Sequence, residues 1–405
     1  MATLLMIESW LQSTGQVLPS LIRQRGHEYV LVTRDPELYD AHPVLDGAAD
    51  VLVVETNELQ ALGTAARHYR EHAPVDGVLT TCDYYLQAAA HCAAALGLPG
   101  PRPEVMRTAI RKDLVRDATV RAGLPSPRYV VATHWEACLA GAAQVGYPCV
   151  AKPVDLNSGT SVHLVEGEGA LKDAFGDITG TTFNTRGQPL RRQVLIEEYL
   201  DGPEVSVEAV TVRGRTHILG VTDKVVEPGS LIECGHRFPA LLGEMERHAV
   251  EELTTDALAA IELTDGLSHT EVRLTADGPR LVELNPRQGG GYIFELVSLV
   301  TGVNPLGLVI DLALGDEPRL DGYGTATSAA VSFFLPRPDG QVIDADALAA
   351  DPLVHRWELD TPMRGGVPRD NNDRIGYVIS TGRPGSDALG HAMYCAQSGR
   401  LLGRR

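Results

Sequence analysis

The segment Ser268–Tyr292, SHTEVRLTADGPRLVELNPRQGGGY, constrains this chain more than any other. Thr270–Thr275 and Arg280–Leu284 alternate polar and apolar residues around Ala276-Asp277-Gly278-Pro279, the pattern of a β-hairpin. Side chains two apart on a strand share a face, roughly 6–7 Å from one another. Glu271 and Arg273 therefore face one way, and Val272 and Leu274 the other. Glu283 and Asn285 likewise share a face, with Val282 and Leu284 behind them. Two glutamates and an amide oxygen on paired strands make a set of hard oxygen donors, suited to Mg²⁺ and nucleotide phosphates. Arg287 and the run Gly289-Gly290-Gly291 follow at once, an ending that a plain surface hairpin with solvated acids rarely has.

The 405 residues suffice for two or three domains. A net charge of −18 argues against general nucleic-acid or anionic-membrane binding. It leaves room for a nucleotide, which needs only local lysines and arginines. The start MATLLMIESW has no basic region before a long apolar core, so no signal peptide is expected, and no apolar run approaches a membrane-spanning length of about 18 residues. The cysteines (Cys82, Cys92, Cys138, Cys149, Cys234, Cys395) are scattered without a C-x-x-C, which fits reduced thiols in a cytoplasmic protein.

From the N-terminus, strands at 3–9, 29–33, 51–55 and 75–81 alternate with helices, the order of a parallel Rossmann-like sheet. No G-x-G-x-x-G follows the first strand, so a nicotinamide dinucleotide is poorly supported. The strand ends at Glu8-Ser9 and Thr81-Cys82-Asp83 should still face a ligand crevice. Leu98–Pro103 is a rigid break, and a first domain over 1–104 is expected, then a second over 105–318 and a C-terminal α+β module over 319–405. A helix is expected from Glu104 through Ala122 with Lys112 inside it. Lys152 lies on a strand at 147–154. The loop Asp155–Ser161 after it carries Ser158, Gly159, Thr160 and Ser161, whose N–H groups and hydroxyls could wrap phosphate oxygens, although a plain connection is the commoner use of such a loop.

Val194–Leu200 is an apolar strand interrupted by Glu197 and Glu198, and Glu197-Glu198-Tyr199-Leu200 offers backbone groups for an adenine edge. Glu204 begins the next strand and could hold ribose hydroxyls; an ordinary hairpin with exposed acids is an equal alternative. A strand over 217–223 precedes Lys224. Val226–Leu241 is expected as a long loop whose Glu233–Arg237 segment faces a substrate, with His236 either functional or merely solvent-exposed. His269 is expected to be a structural hydrogen-bonder. In the tail, Arg337, Arg364 and Arg374 have no placement.

Taken together, Lys112, Lys152, the Gly/Ser loop, Glu197–Leu200, Glu204, Glu271, Glu283, Asn285 and Arg287 resemble the ATP-grasp superfamily. The segments LVELNPRQGGG (281–291) and GHRFP (235–239) are similar to its carboxylate–amine ligase branch, and within it to the L-amino acid ligases that make dipeptides. The resemblance implies an ATP-grasp fold, α/β and α+β, with a Rossmann-like pre-ATP-grasp domain and a small β-rich C-terminal module. It implies ATP and Mg²⁺ as cofactors, with Mn²⁺ as an alternative metal. Small-molecule carboxylate and amine substrates are implied, and a homodimer is compatible with it. Lys112 and Lys152 would contact ATP phosphates under the Ser158–Ser161 loop. Glu197, Glu198, Tyr199 and Leu200 would line the adenine pocket, Glu204 would bind ribose, and Lys224 would belong to the nucleotide site. Glu271, Glu283 and Asn285 would hold the metal. Arg287 would bind the substrate carboxylate or its phosphorylated form, and His236 would assist as a base or donor. Two readings compete with a ligase: a carboxylase that phosphorylates bicarbonate, and a nucleotide-binding module without catalysis.

Overall fold

Strands separated by helices can pair in parallel through crossovers, and the first hundred residues do so. The computed structural model describes residues 1–227, 232–336, 345–359, 366–368, 370–382 and 386–398. β1 (Thr3–Ile7), β2 (Glu28–Thr33), β3 (Asp50–Val53) and β4 (Gly77–Leu79) form a parallel sheet in the order β3-β2-β1-β4. Along β1 the side chains alternate between two cores. Leu4 and Met6 pack with Leu18 and Ile22 of the helix Thr14–Gln24, whereas Leu5 and Ile7 pack with Leu62, Ala66 and Cys92 from two other helices. The strand ends, with Ser9 and Asp83 beyond them, open toward the rest of the chain.

A second sheet of four antiparallel strands follows, β5 (Tyr129–Ala132), β6 (Cys149–Pro153), β7 (His163–Val165) and β8 (Val194–Glu198), in the order β5-β8-β6-β7. Helices Trp135–Val145 and Glu168–Gly180 cover one face of it through Ala142, Leu171 and Ile178. The third sheet has eight strands. These are β9 (Glu204–Val212), β10 (Arg215–Val226), β11 (Glu233–Phe238), β12 (Gly266–Thr275), β13 (Gly278–Asn285), β14 (Ser328–Phe333), β15 (Val354–Leu359) and β16 (Gly376–Gly382). Their order is β13-β12-β9-β10-β11-β14-β16-β15, with every pairing antiparallel.

Several local expectations change. The helix expected from 104 to 122 breaks into Pro103–Ala109 and Lys112–Arg121, so Lys112 opens a helix instead of lying within one. Lys224 lies inside β10, not after it. The loop expected over 226–241 contains the strand β11, so His236 is a strand residue paired on both sides, with Lys224 and Val331 as register partners. In the tail, β14, β15 and β16 continue the sheet that carries the hairpin. The hairpin turn is tighter than expected, since Gly278 and Pro279 belong to β13. A bulge between Glu271 and Val272 leaves Val282 without an opposite partner, and Val282 joins the cavity wall instead of lying behind it. Arg337 and Arg364 lie outside the described residues.

No single helix among the described residues is long and apolar enough to cross a membrane. The bent pair Ile293–Thr301 and Pro305–Leu314, 95° apart, is core, with Leu296, Val297, Leu306 and Ile310 fully or almost fully buried.

Candidate active site

The two antiparallel sheets line a cavity of about 480 Å³, which Gln12, Ser13 and Gln16 close from the N-terminal side. Its wall contains the residues that the resemblance assigns to nucleotide, metal and substrate, except Ser161: Arg287 and His236; the lysines Lys112, Lys152 and Lys224; Ser158, Gly159 and Thr160; Glu197, Glu198, Tyr199, Leu200 and Glu204; and Glu271, Glu283 and Asn285. Ser158 and Ser161 take φ of 57° and 55° on either side of Gly159 at 72°, and the Thr160 and Val162 amides close turns onto the Asn157 and Gly159 carbonyls.

The hairpin delivers the acids. Glu271 and Glu283 are register partners across β12 and β13. Two acids directly opposite one another repel unless cations intervene. Lysines meet them here, with Lys112 Nζ 3.3 Å from Glu283 and Lys224 Nζ 3.1 Å from Glu271. Asn285 follows Glu283 on the same face. A pair of carboxylates and an amide oxygen, flanked by lysines, suits a divalent cation bound together with phosphates.

Lys224 is almost entirely buried and also meets Glu204 at 2.6 Å and Glu233 at 2.8 Å. Burial disfavours its charge, but the three glutamates outweigh that and hold the ammonium well above the usual lysine range. Burial likewise acts to raise Glu233, and the cations Lys224 and Arg374 overcome it, bringing the carboxyl down to about 2. Glu204 is further held by Arg273 at 3.1 Å.

At the other end, Glu197 is 4% exposed and its carboxylate lies between Arg116 at 2.6 Å and Lys152 at 2.6 Å. Burial raises its pKa, and the two cations more than reverse this, to about 2. Arg116 also donates to the Val282 carbonyl. One fully buried guanidinium thus ties the helix Lys112–Arg121 to β8 and β13. Arg116 escaped the sequence reading, although its place one turn after Lys112 on one helix face could have drawn notice.

His236 is 1% exposed, with its ring edge-on to Phe333 at 5.6 Å. Burial pushes its pKa down to about 3 against the pull of Glu233, so the imidazole is neutral with a lone pair available. Its Nδ1 has no hydrogen-bond partner among the described residues. The tail also supplies site residues: Arg374, which had no placement from the sequence, and Asn371 and Tyr377, which the sequence did not single out. Arg374 donates to Glu233 at 3.1 Å and lies over the Phe333 ring at 3.7 Å, while Asn371 accepts from the Glu233 amide at 3.0 Å. Tyr377 stacks on Tyr292 at 3.8 Å. His269 is the hydrogen-bonder expected: it joins Glu208 at 3.0 Å to Glu271 at 3.2 Å. Burial lowers its pKa, and Glu208 overcomes this, raising it to about 9.

Family profiles match in the same order as these parts. An ATP-grasp N-terminal domain matches residues 23–100 and an ATP-grasp domain matches 145–295. Protein y4rH of Sinorhizobium fredii is 29% identical over 393 residues, 95% of this chain and 80% of that protein. Alanine–anticapsin ligase of Bacillus subtilis is 24% identical over 317 residues, covering 74% of this chain and 63% of the relative. Among solved structures, the L-amino acid ligase from Bacillus licheniformis superposes with a TM-score of 0.77 at 22% identity, over 97% of this chain and 96% of that one. The chain belongs to the ATP-grasp family and, within it, resembles the L-amino acid ligases.

Proposed function

We propose that this chain is an ATP-dependent carboxylate–amine ligase, which activates an amino-acid-like carboxylate as an acyl phosphate and couples it to an amine, releasing ADP and phosphate. The observation that carries this reading is the convergence of Lys112, Lys152, Glu271, Glu283, Asn285 and Arg287 on one cavity. The ligase names of two sequence relatives, alanine–anticapsin ligase and carnosine synthase 1, support the same class. A structural neighbour solved with ADP, which shares the fold at a TM-score of 0.74, supports the nucleotide.

MgATP supplies the transferable phosphoryl group and a divalent charge. Glu271, Glu283 and Asn285 hold the metal, with Lys112 and Lys152 on the phosphates. Tyr199 and Leu200 flank the adenine, and Glu204 binds the ribose. A carboxylate is a poor electrophile, and bringing it to a polyphosphate sets anion against anion. The lysines offset that repulsion and stabilise charge on the phosphoryl group in transfer. Arg287 holds the substrate carboxylate and then faces the oxyanion that forms when the amine attacks. His236, neutral and desolvated, assists as a hydrogen-bond donor through its ring N–H. The loop Ser158–Ser161 keeps water from the acyl phosphate, which would otherwise hydrolyse.

A phosphate-release screen with ATP and Mg²⁺ tests this reading, using amino acids singly and in pairs. Release that needs a pair supports ligation and names both substrates. Release driven by bicarbonate without an amine would favour the carboxylase, and ATP binding without any turnover the non-catalytic module.

A further inference from the structure

His269 stands between two carboxylates on a face of the central sheet. Its Nδ1 lies 3.0 Å and 3.1 Å from the two Glu208 oxygens, and its Nε2 lies 3.2 Å from Glu271 Oε1. The ring thus bridges the two carboxylates through its two nitrogens. The arrangement follows from strand geometry. His269 and Glu271 are two apart on β12, and His269 is the register partner of Glu208 on β9. Glu208 is itself fixed by Ser206 Oγ at 2.7 Å and Thr222 Oγ1 at 3.3 Å. The Glu208 side chain is 4% exposed and lies outside the cavity wall. It also seats the glycine run, since a Cβ at Gly289 would fall 2.8 Å from Glu208 Oε2.

A buried carboxylate with three polar neighbours is a costly way to fill a core, which apolar side chains fill without desolvating a charge. The arrangement makes sense through Glu271. Lys224 and His269 both make their closest approach to the same Glu271 oxygen, Oε1. The carboxylate is thereby turned, and Oε2 is the oxygen left to a cation.

We propose that Glu208 and His269 are positioning residues that orient the Glu271 carboxylate for the divalent metal. Outer hydrogen bonds of this kind tune how tightly a carboxylate ligand holds its ion. The inference rests on Glu271 as a metal ligand.

The test is Mn²⁺ affinity, measured by electron paramagnetic resonance on the full chain with a non-hydrolysable ATP analogue bound. Glu208→Gln and His269→Asn should weaken Mn²⁺ binding by about 10–100-fold. An asparagine amide replaces Nδ1 and cannot reach Glu271, whereas a glutamine amide replaces Nε2. His269→Gln should therefore recover most of the affinity that His269→Asn loses, a rescue that loss of a merely structural contact would not give. If His269→Asn fails to fold, Glu208→Gln carries the test. Wild-type affinity in Glu208→Gln and His269→Asn, alongside weakened binding in Glu271→Ala, would overturn the positioning role alone. Wild-type affinity in Glu271→Ala as well would overturn the metal assignment beneath it.

Discussion

The Asp83 carboxylate and the Arg287 guanidinium meet at 2.6 Å although 204 residues separate them. Asp83 follows β4 of the parallel sheet, and Arg287 follows β13 of the eight-stranded sheet. Burial works against the arginine's charge, and Asp83 more than offsets it. The guanidinium also donates to the Gln288 carbonyl at 2.8 Å, which holds it against the start of the glycine run. The N-terminal domain thus contributes directly to the site through an ion pair on the proposed substrate arginine.

Arg287→Ala should leave ATP binding near wild type and lower product formation by about 10²–10³-fold, the usual loss on removing one charge-stabilising donor. Asp83→Asn should lower product formation less, because the arginine remains but its orientation is freed. Nucleotide binding by fluorescence and product by mass spectrometry separate the two effects. Ligation at the wild-type rate in Arg287→Ala would make that arginine structural.

Glu283→Ala removes a proposed metal ligand and leaves Lys112 without its acid at 3.3 Å. Phosphate release at ordinary Mg²⁺ should fall by at least about 10²-fold with little change in far-UV circular dichroism. Retained release would sink the metal assignment.

Glu197 links the fold to pH. Its carboxyl lies at about 2 in the folded chain against an ordinary 4.5. A depressed carboxyl stabilises the fold fully above the ordinary value, and the contribution is lost as pH falls from there through about 2. The shift corresponds to roughly 3 kcal/mol. Glu197→Gln should be destabilised at neutral pH, because Arg116 and Lys152 lose their shared counter-charge, and its stability should vary less across that acid window. Denaturant unfolding at a series of pH values checks this; parallel curves for the two proteins would contradict it.

A contact between the second sheet's connection and the N-terminal domain makes a separate prediction. Between the helix Glu168–Gly180 and β8 the chain reaches back to the N-terminal domain. There Arg186 donates to the Ser9 carbonyl at 2.6 Å, lies over the Trp10 ring at 5.3 Å, and accepts on its own carbonyl from Asn57 at 3.1 Å. Gln188 adds a bond to the Tyr84 carbonyl at 3.1 Å. Arg186→Ala should cost about 1–3 kcal/mol locally and speed amide hydrogen exchange across residues 184–190, leaving exchange in β9 and β12 unchanged. Unaltered exchange at 184–190 would show that the contact does not hold this segment.

What the sequence made legible was what local periodicity encodes. The alternation in TEVRLT and RLVEL announced the hairpin, and the buried runs such as Leu4–Ile7 announced the parallel sheet. β11 was hidden because its sequence, ECGHRF, places polar residues toward a buried site and carries a glycine, so it lacks the apolar signature of a strand. The joining of β14 to β11 was hidden because strand pairing across about a hundred residues leaves no mark in either segment. The bulge that turned Val282 into the cavity wall depends on pairing register in the same way. The lysines and acids of the site could be named one by one. Asp83 was placed at a crevice without its partner, and Arg116 and Glu208 were not named, since their roles appear only when distant strands come together.

The central claim is that the substrate carboxylate is phosphorylated before the amine attacks, and isotope transfer tests it most directly. A carboxylate substrate labelled with heavy oxygen, found through the paired screen, is turned over with ATP, Mg²⁺ and its amine, and the products are weighed by mass spectrometry. The account predicts ADP as the nucleotide product, with one heavy oxygen from the carboxylate carried into the released phosphate. Unlabelled phosphate, or the label appearing in AMP, would contradict it.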